Sequence, residues 1–80
     1  MLKNEQLVDE FLISLGKVIK SLRSDRKLSQ EKLAEETGLT RNFISLIECG
    51  QSNPSIGNLA AISRVLEVRL SFLVAQSESV

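Results

Sequence analysis

The amino-acid sequence predicts an all-α fold. Apolar residues recur at helical spacing along most of the 80-residue chain, and hydroxyl side chains or glycines stand where helices would begin or end. The run LSFLV has the composition of a strand, but it follows four predicted helices, and this position favours a final helical turn. The core should be aliphatic, because the chain contains three Phe and neither Trp nor Tyr. We therefore expect one compact domain of five helices, residues 1–80.

The first predicted helix is long and extends from about residue 4 to residue 26. Its apolar residues share one face, which is typical of a helix that covers a core. These residues are Val8, Phe11, Leu12, Leu15, Val18, Ile19 and Leu22. The turns before Leu15 are expected to cover either the domain itself or a partner.

Residues 29–49, SQEKLAEETGLTRNFISLIEC, predict two short helices joined by a sharp turn. Ser29 and Thr40 are good N-caps for these helices. Ala34 is small enough for the helices to approach closely, and Gly38 can adopt the left-handed backbone that the turn requires. The apolar residues that would meet across the turn are Leu33, Leu39, Ile44 and Ile47.

The third predicted helix presents polar side chains on its outer face. Arg41, Asn42 and Ser45 remain outside the apolar stripe, and all three can form hydrogen bonds. A short helix with such side chains can read base edges in the major groove of DNA. These residues are therefore candidates for contact with DNA.

Two further helices are predicted after the loop GQSNPS. Ser55 follows Pro54 and is the expected N-cap of the fourth helix. The inner face of that helix would be formed by Ile56, Leu59, Ala60, Ile62, Ser63 and Leu66. A short fifth helix is expected from about residue 69 to residue 76, and the tail SESV, residues 77–80, is expected to fray.

The charge of the chain is balanced overall but unevenly distributed. Ten basic and ten acidic residues give a formal net charge of zero, which counts against strong binding to DNA phosphates. Residues 17–32, however, contain six basic and two acidic residues, whereas the first ten residues contain three acidic residues and one Lys. We therefore expect a basic face on a neutral molecule, and modest nonspecific affinity for DNA.

The sequence contains little of the chemistry that catalysis or metal binding needs. It has no His, and its single cysteine, Cys49, has no evident base beside it. We therefore predict no catalytic residue, no metal site, no cofactor and no enzymatic activity. No segment approaches the ~20 apolar residues that span a bilayer, and the acidic N-terminus does not resemble a secretory signal. With the lone cysteine, these features predict a cytoplasmic protein without a membrane partner.

Four motifs occur together and in order: LSQEKLA, then TG with Leu39, then ISLIE-x-G, then NPS. In this combination the segment from Lys17 to Val68 resembles the Cro/C1-type (XRE-like) helix-turn-helix regulators of bacteria and phages. The resemblance implies a compact five-helix lambda-repressor-like domain that binds a double-stranded DNA operator. It also implies a set of DNA-contacting residues, namely Ser29, Gln30, Thr40, Arg41, Asn42, Phe43, Ser45, Ser52 and Asn53.

The members of this set are expected to differ in role. Arg41 would suit guanine and Asn42 adenine, although either could hold a phosphate instead. Phe43 would contact a thymine methyl group or tuck against the domain. Leu46 would offer at most an apolar contact or have a shifted or partly buried role. The residues expected mainly to hold the DNA backbone are Gln30, Ser52 and Asn53.

The resemblance also implies a structural pair between Arg23 and Glu48. Such a pair would fix the recognition helix without touching bases. The alternative is that these residues are two independent surface charges.

The apolar segment 65–76 exceeds the needs of one small core and is predicted to carry a homodimer interface. Its interface residues would be Leu70, Phe72, Leu73 and Val74. Extra packing within the monomer is the alternative. Glu67 stands where relatives often have Gly, so the helix end there should be strained or differently shaped.

The expected function is transcriptional regulation by a homodimer on a palindromic operator. The short chain and the LEV segment are similar to the controller proteins of restriction–modification systems, which act near their own promoter. RNA polymerase is a candidate partner for such a protein. The alternatives are a phage or plasmid repressor and, from a different class, an antitoxin-type protein-interaction module.

Overall fold

The computed structural model describes residues 3–78, and this range contains five helices and no strand, which confirms the all-α prediction. The helices are α1 (Asn4–Asp25), α2 (Gln30–Thr37), α3 (Arg41–Glu48), α4 (Ile56–Val65) and α5 (Leu70–Glu78). α1 packs against α3 and α5, α2 packs against α3 and α4, and α4 also contacts α5. The helices thus enclose a single cluster of buried side chains.

The buried side chains of this cluster are aliphatic, as expected. They come from all five helices and the turn after α4, and comprise Leu12, Leu15, Ile19, Leu33, Ala34, Ile44, Ile47, Leu59, Ile62, Leu66 and Leu73. Three apolar residues assigned to core-facing stripes are instead exposed: Val8, Ile56 and Ala60. Val8 lies in the overhanging start of α1, Ile56 is the first residue of α4, and Ala60 lies on the outer side of α4. The prediction that these three residues face the core was therefore wrong.

The predicted N-caps are confirmed. The hydroxyl oxygen of Ser29 accepts a hydrogen bond from the Lys32 amide at 3.0 Å, and that of Thr40 accepts one from the Phe43 amide at 3.1 Å. Ser55 caps α4 in the same way through the Asn58 amide. Each cap satisfies one amide in a first helical turn that has no partner within the helix.

α1 extends past the other helices. Its 22 residues begin with a stretch, residues 4–10, in which every residue is exposed, and the molecule measures 40 Å along its longest axis and 23 by 20 Å across. Despite the length of α1, none of the helices between residues 3 and 78 is both long enough and apolar enough to cross a membrane.

The C-terminal helix differs from expectation in two ways. α5 continues to Glu78, and the hydroxyl of Ser77 is buried and donates to the Leu73 carbonyl at 2.8 Å, so the predicted fraying is wrong for residues 77 and 78. Residues 79 and 80 lie outside the described range. Leu73, which was assigned to a dimer interface, is fully buried in the core and therefore packs within the monomer. Phe72 is exposed, whereas Leu70 and Val74 are half-buried.

The turn after α4 carries backbone strain, as the position of Glu67 suggested. Glu67 has φ 57°, in the left-handed region where a side chain is disfavoured. Its carboxylate forms an ion pair with Arg26 at the end of α1. The turn is thereby connected to the end of the first helix.

Candidate nucleic-acid interface

The turn between α2 and α3 is built on Gly38. This residue has φ 76° and its amide donates to the Ala34 carbonyl, which ends α2 in a left-handed cap. A Cβ atom at Gly38 would meet nothing within 4 Å, so the backbone angle rather than lack of space requires glycine here. The following residue, Leu39, packs against the core, and Thr40 begins α3 at the surface.

The start of α3 is the exposed end of the hairpin. The side chains of Arg41 and Asn42 lie at the surface, and that of Arg41 is 63% exposed. Ser45 is half-buried one turn further along. Phe43 is half-buried and packs against the core. Of the two positions expected for its ring, the protein without DNA therefore has the one against the domain. Leu46 is also half-buried.

Three other residues expected to contact DNA lie before and after α3 in the sequence. Ser29 is exposed at the start of α2, where its hydroxyl caps the helix. Ser52 and Asn53 lie in the loop after α3, the first half-buried and the second exposed.

Arg23 and Glu48 lie in direct contact, in a cluster that also includes Gln30. The Glu48 carboxylate accepts hydrogen bonds from Arg23 Nε at 2.6 Å and from Arg23 Nη2 at 3.0 Å. Gln30 Nε2 donates to the same carboxylate at 2.9 Å, and Arg23 Nη1 donates to the Leu28 carbonyl at 2.7 Å. The cluster therefore joins α1, the α1–α2 turn, α2 and the end of α3.

This cluster is nearly closed to solvent. The side chain of Glu48 is 2% exposed and that of Arg23 is 12% exposed. The hydrogen bonds to Glu48 raise the pKa of Arg23 above its ordinary value; charge attraction adds to this effect and burial opposes it. The guanidinium thus stays charged, and the two-pronged contact connects the end of α3 to α1.

Gln30 has a position that the sequence did not indicate. It was expected to point towards the DNA backbone, yet it is half-buried and its amide group donates to Glu48. One of its donors is therefore used inside the protein. Gln30 is the first residue of α2, and this start of the helix lies beside the surface that carries Arg41.

Two more residues near the site escaped the sequence analysis. Glu31 Oε1 lies 4.0 Å from Arg41 Nε, which places a carboxylate beside the expected base-reading side chain. Gly16 lies against the end of α3, where an added Cβ would be 2.4 Å from the Ile47 carbonyl oxygen. A glycine inside an apolar helical stripe was the available signal for such a close approach.

Taken together, the short hairpin and its exposed polar helix start define a helix-turn-helix domain of the DNA-binding type. The model of the helix-turn-helix family HTH_3 matches residues 19–73. The chain therefore belongs to this family, which confirms the resemblance. The family and the relatives below are regulators rather than enzymes.

Several proteins similar to this chain are controllers or regulators of gene expression. The control protein C.MunI of a Mycoplasma species is 38% identical over 72 residues, which cover 89% of this chain and 97% of C.MunI. The restriction–modification controller protein C.AhdI from Aeromonas hydrophila is 34% identical, with a TM-score of 0.76 over 78% of this chain and 94% of that one. SinR, a master regulator of biofilm formation solved in complex with DNA, is 38% identical, with a TM-score of 0.71 over 75% of this chain and 97% of the SinR chain in that structure. Other curated regulators are longer, and the chain spans 26% to 59% of their length.

Proposed function

We propose that this protein is a sequence-specific DNA-binding transcriptional regulator. The observation that carries the proposal is the contrast within α3. The exposed start of the helix presents Arg41 and Asn42, while its end is held by the buried contact of Glu48 with Arg23. A rigid helix with a polar, accessible start is what reading base edges requires. The similarity to SinR, whose structure includes DNA, supports the same partner.

Different residues of the interface would have different tasks. Arg41 and Asn42 read base edges in the major groove. Ser29, Ser52 and Asn53 hold phosphates on either side and fix the position of α3 in the groove. Gln30 acts mainly by supporting Glu48, and the start of α2 beside it approaches the DNA backbone.

The regulator acts as a homodimer on a near-palindromic operator. One recognition helix covers only a few base pairs, which is too little to find a site among ~10⁶ or more competing genomic positions. Two copies related by a two-fold axis double the reading surface. The exposed ring of Phe72, flanked by the half-buried Leu70 and Val74, is the interface that we assign on α5.

Among such regulators, the controller protein of a restriction–modification system fits best. C.MunI and C.AhdI support this assignment, because the similarity extends over almost the whole length of each of these controllers. A controller acts in the cytoplasm at its own promoter, where RNA polymerase is a further partner. A phage or plasmid repressor would use the same DNA-binding surface.

Selection of double-stranded DNA from a random pool tests the function. The protein should enrich a near-palindrome, and a copy of that site should lie upstream of its own gene, beside genes for a methyltransferase and an endonuclease. Enrichment of a palindrome without those neighbours would contradict the controller assignment alone. Absence of any enriched sequence would contradict sequence-specific binding.

A further inference from the structure

An open groove of about 650 Å³ lies between α1 and α5. Its lining includes the half-buried apolar residues Phe11 and Val18 and, towards the start of α1, Leu7. Beyond Lys17 it continues into a smaller hollow of about 240 Å³ that reaches Phe72. The groove therefore connects the overhanging part of α1 with the interface residue on α5.

Large apolar side chains remain uncovered along this groove. Leu7 is 52% exposed, Ile13 is 48% exposed and Phe72 is 44% exposed. All three line the groove or its continuation. A contiguous apolar face on a small domain indicates an interaction surface, and its charges identify what covers it.

The charges on α1 change sign at Ile13. The exposed residues before it include Glu5, Asp9 and Glu10, and those after it include Lys17 and Lys20. Asp9 and Lys17 each lie four residues from Ile13, so all three share one face of the helix. The first half of this face is acidic and the second half is basic.

We propose that a second copy of the chain covers this face, with its α1 antiparallel to the first and the two-fold axis near Ile13. In this arrangement, positions equally far before and after Ile13 face each other. Asp9 of each copy therefore faces Lys17 of the other, with Glu10 one residue away, and the Ile13 side chains meet at the axis. A parallel arrangement would place like charges together, which is unfavourable.

The inference rests on the homodimer proposed above and specifies how its copies meet. Exposed ion pairs contribute little affinity individually, so the apolar contacts of Leu7, Ile13 and Phe72 supply the association. The charge pattern instead selects the antiparallel orientation and excludes other registers. The interface on α5 thus extends onto the overhanging turns of α1.

Charge reversal tests this arrangement in the full-length chain. Lys17→Glu places an acidic residue against Asp9 of the other copy, with Glu10 beside it, and the double variant Asp9→Lys, Glu10→Lys places basic residues against and beside Lys17. Each variant alone should have a dimer dissociation constant raised by about tenfold or more in sedimentation equilibrium. An equimolar mixture of the two variants should form a heterodimer about as tight as the wild-type dimer, because all facing charges are again opposite.

Arg64→Glu is the matched control, since it makes the same charge change on the exposed side of α4 and should leave the dimer unchanged. Circular dichroism should show that each variant retains its helices. A wild-type dimer that tolerates Lys17→Glu, or variants whose mixture does not restore association, would overturn the antiparallel α1 contact while leaving the homodimer standing. A wild type that remains monomeric up to high micromolar concentration would overturn both proposals.

Discussion

At the scale of single residues, Arg41 combines exposure with a nearby opposite charge. Its guanidinium is accessible and lies 4.0 Å from the Glu31 carboxylate, an exposed pair that is worth at most about 1 kcal/mol. A guanine base can therefore replace Glu31 as the partner of Arg41 at a low cost in free energy. The Glu31 carboxylate also repels DNA phosphates, which would lower binding to sequences that do not engage Arg41.

Replacing Arg41 by Ala should reduce affinity for the selected operator by about 1–3 kcal/mol and reduce affinity for random DNA much less. The physical reason is the loss of two hydrogen bonds to one base, in addition to one charge. Fluorescence anisotropy with both DNAs at fixed salt measures the difference. Arg64→Ala removes the same charge far along the chain and serves as the control. Equal losses on both DNAs would instead make Arg41 a phosphate contact.

Replacing Glu48 by Ala should destabilise the fold by about 3–5 kcal/mol, because it leaves the buried Arg23 charge without its carboxylate. It also removes the acceptor of the Gln30 amide. Chemical denaturation measures the loss. Glu31→Ala removes an exposed carboxylate from neighbouring α2 and should change stability by less than about 0.5 kcal/mol. A wild-type unfolding curve for Glu48→Ala would mean that the pair has no structural role.

The sequence indicated most of this site but not how its parts are connected. Arg23, Glu48 and Arg41 occupy recognisable positions in the motifs, so their approximate places could be predicted. The contact of Gln30 with Glu48 depends on how α2 and α3 cross, and no local pattern encodes that angle. The proximity of Glu31 to Arg41 escaped prediction for the same reason.

At the scale of helices, local signals predicted where each helix begins, and tertiary contacts decided where the last helix ends. Ser29, Thr40 and Ser55 cap their helices through bonds to amides three residues away, which a sequence reveals directly. The last turn of α5 is polar in sequence, yet Ser77 is buried and its hydroxyl bonds to the Leu73 carbonyl. The packing of this last turn against α1 could not be predicted from the sequence of the tail alone.

The close approach of α1 and α3 depends on Gly16. An Ala Cβ there would stand 2.4 Å from the Ile47 carbonyl oxygen and 2.6 Å from that of Glu48, so the helices would have to separate. Gly16→Ala should therefore cost about 1–3 kcal/mol of stability despite the better helix propensity of Ala. Gly57→Ala is the matched control, because its Cβ would meet only Ser55 Oγ at 3.7 Å. That variant should be neutral or stabilising in the same denaturation experiment, and a stable Gly16→Ala would contradict the steric account.

At the scale of the whole molecule, reading by two copies predicts the form of the operator. Two-fold symmetry predicts a near-palindrome, and the half-site centres should be about 34 Å apart, one turn of DNA, if both recognition helices enter successive major grooves on the same side of the duplex. Phe72→Glu would place carboxylates at the dimer interface, weaken association and make DNA binding depend strongly on protein concentration. Sedimentation and binding titrations measure both effects. Ile56→Glu alters an apolar side chain that is more exposed than Phe72, on α4, and should leave association unchanged. A wild type that bound one half-site as tightly as the palindrome would rule out the dimer.

The Arg23–Glu48 contact is buried, whereas the residues that we propose to read bases are exposed, and this separation has a consequence for changing specificity. Arg41 and Asn42 should contribute little to folding because their side chains lie in solvent, whereas the buried contact of Glu48 with Arg23 lies at the other end of α3. New side chains at these two positions should therefore redirect the protein to other operators without loss of solubility or yield. A library randomised at positions 41 and 42 is accordingly a suitable starting point for reprogrammed regulators.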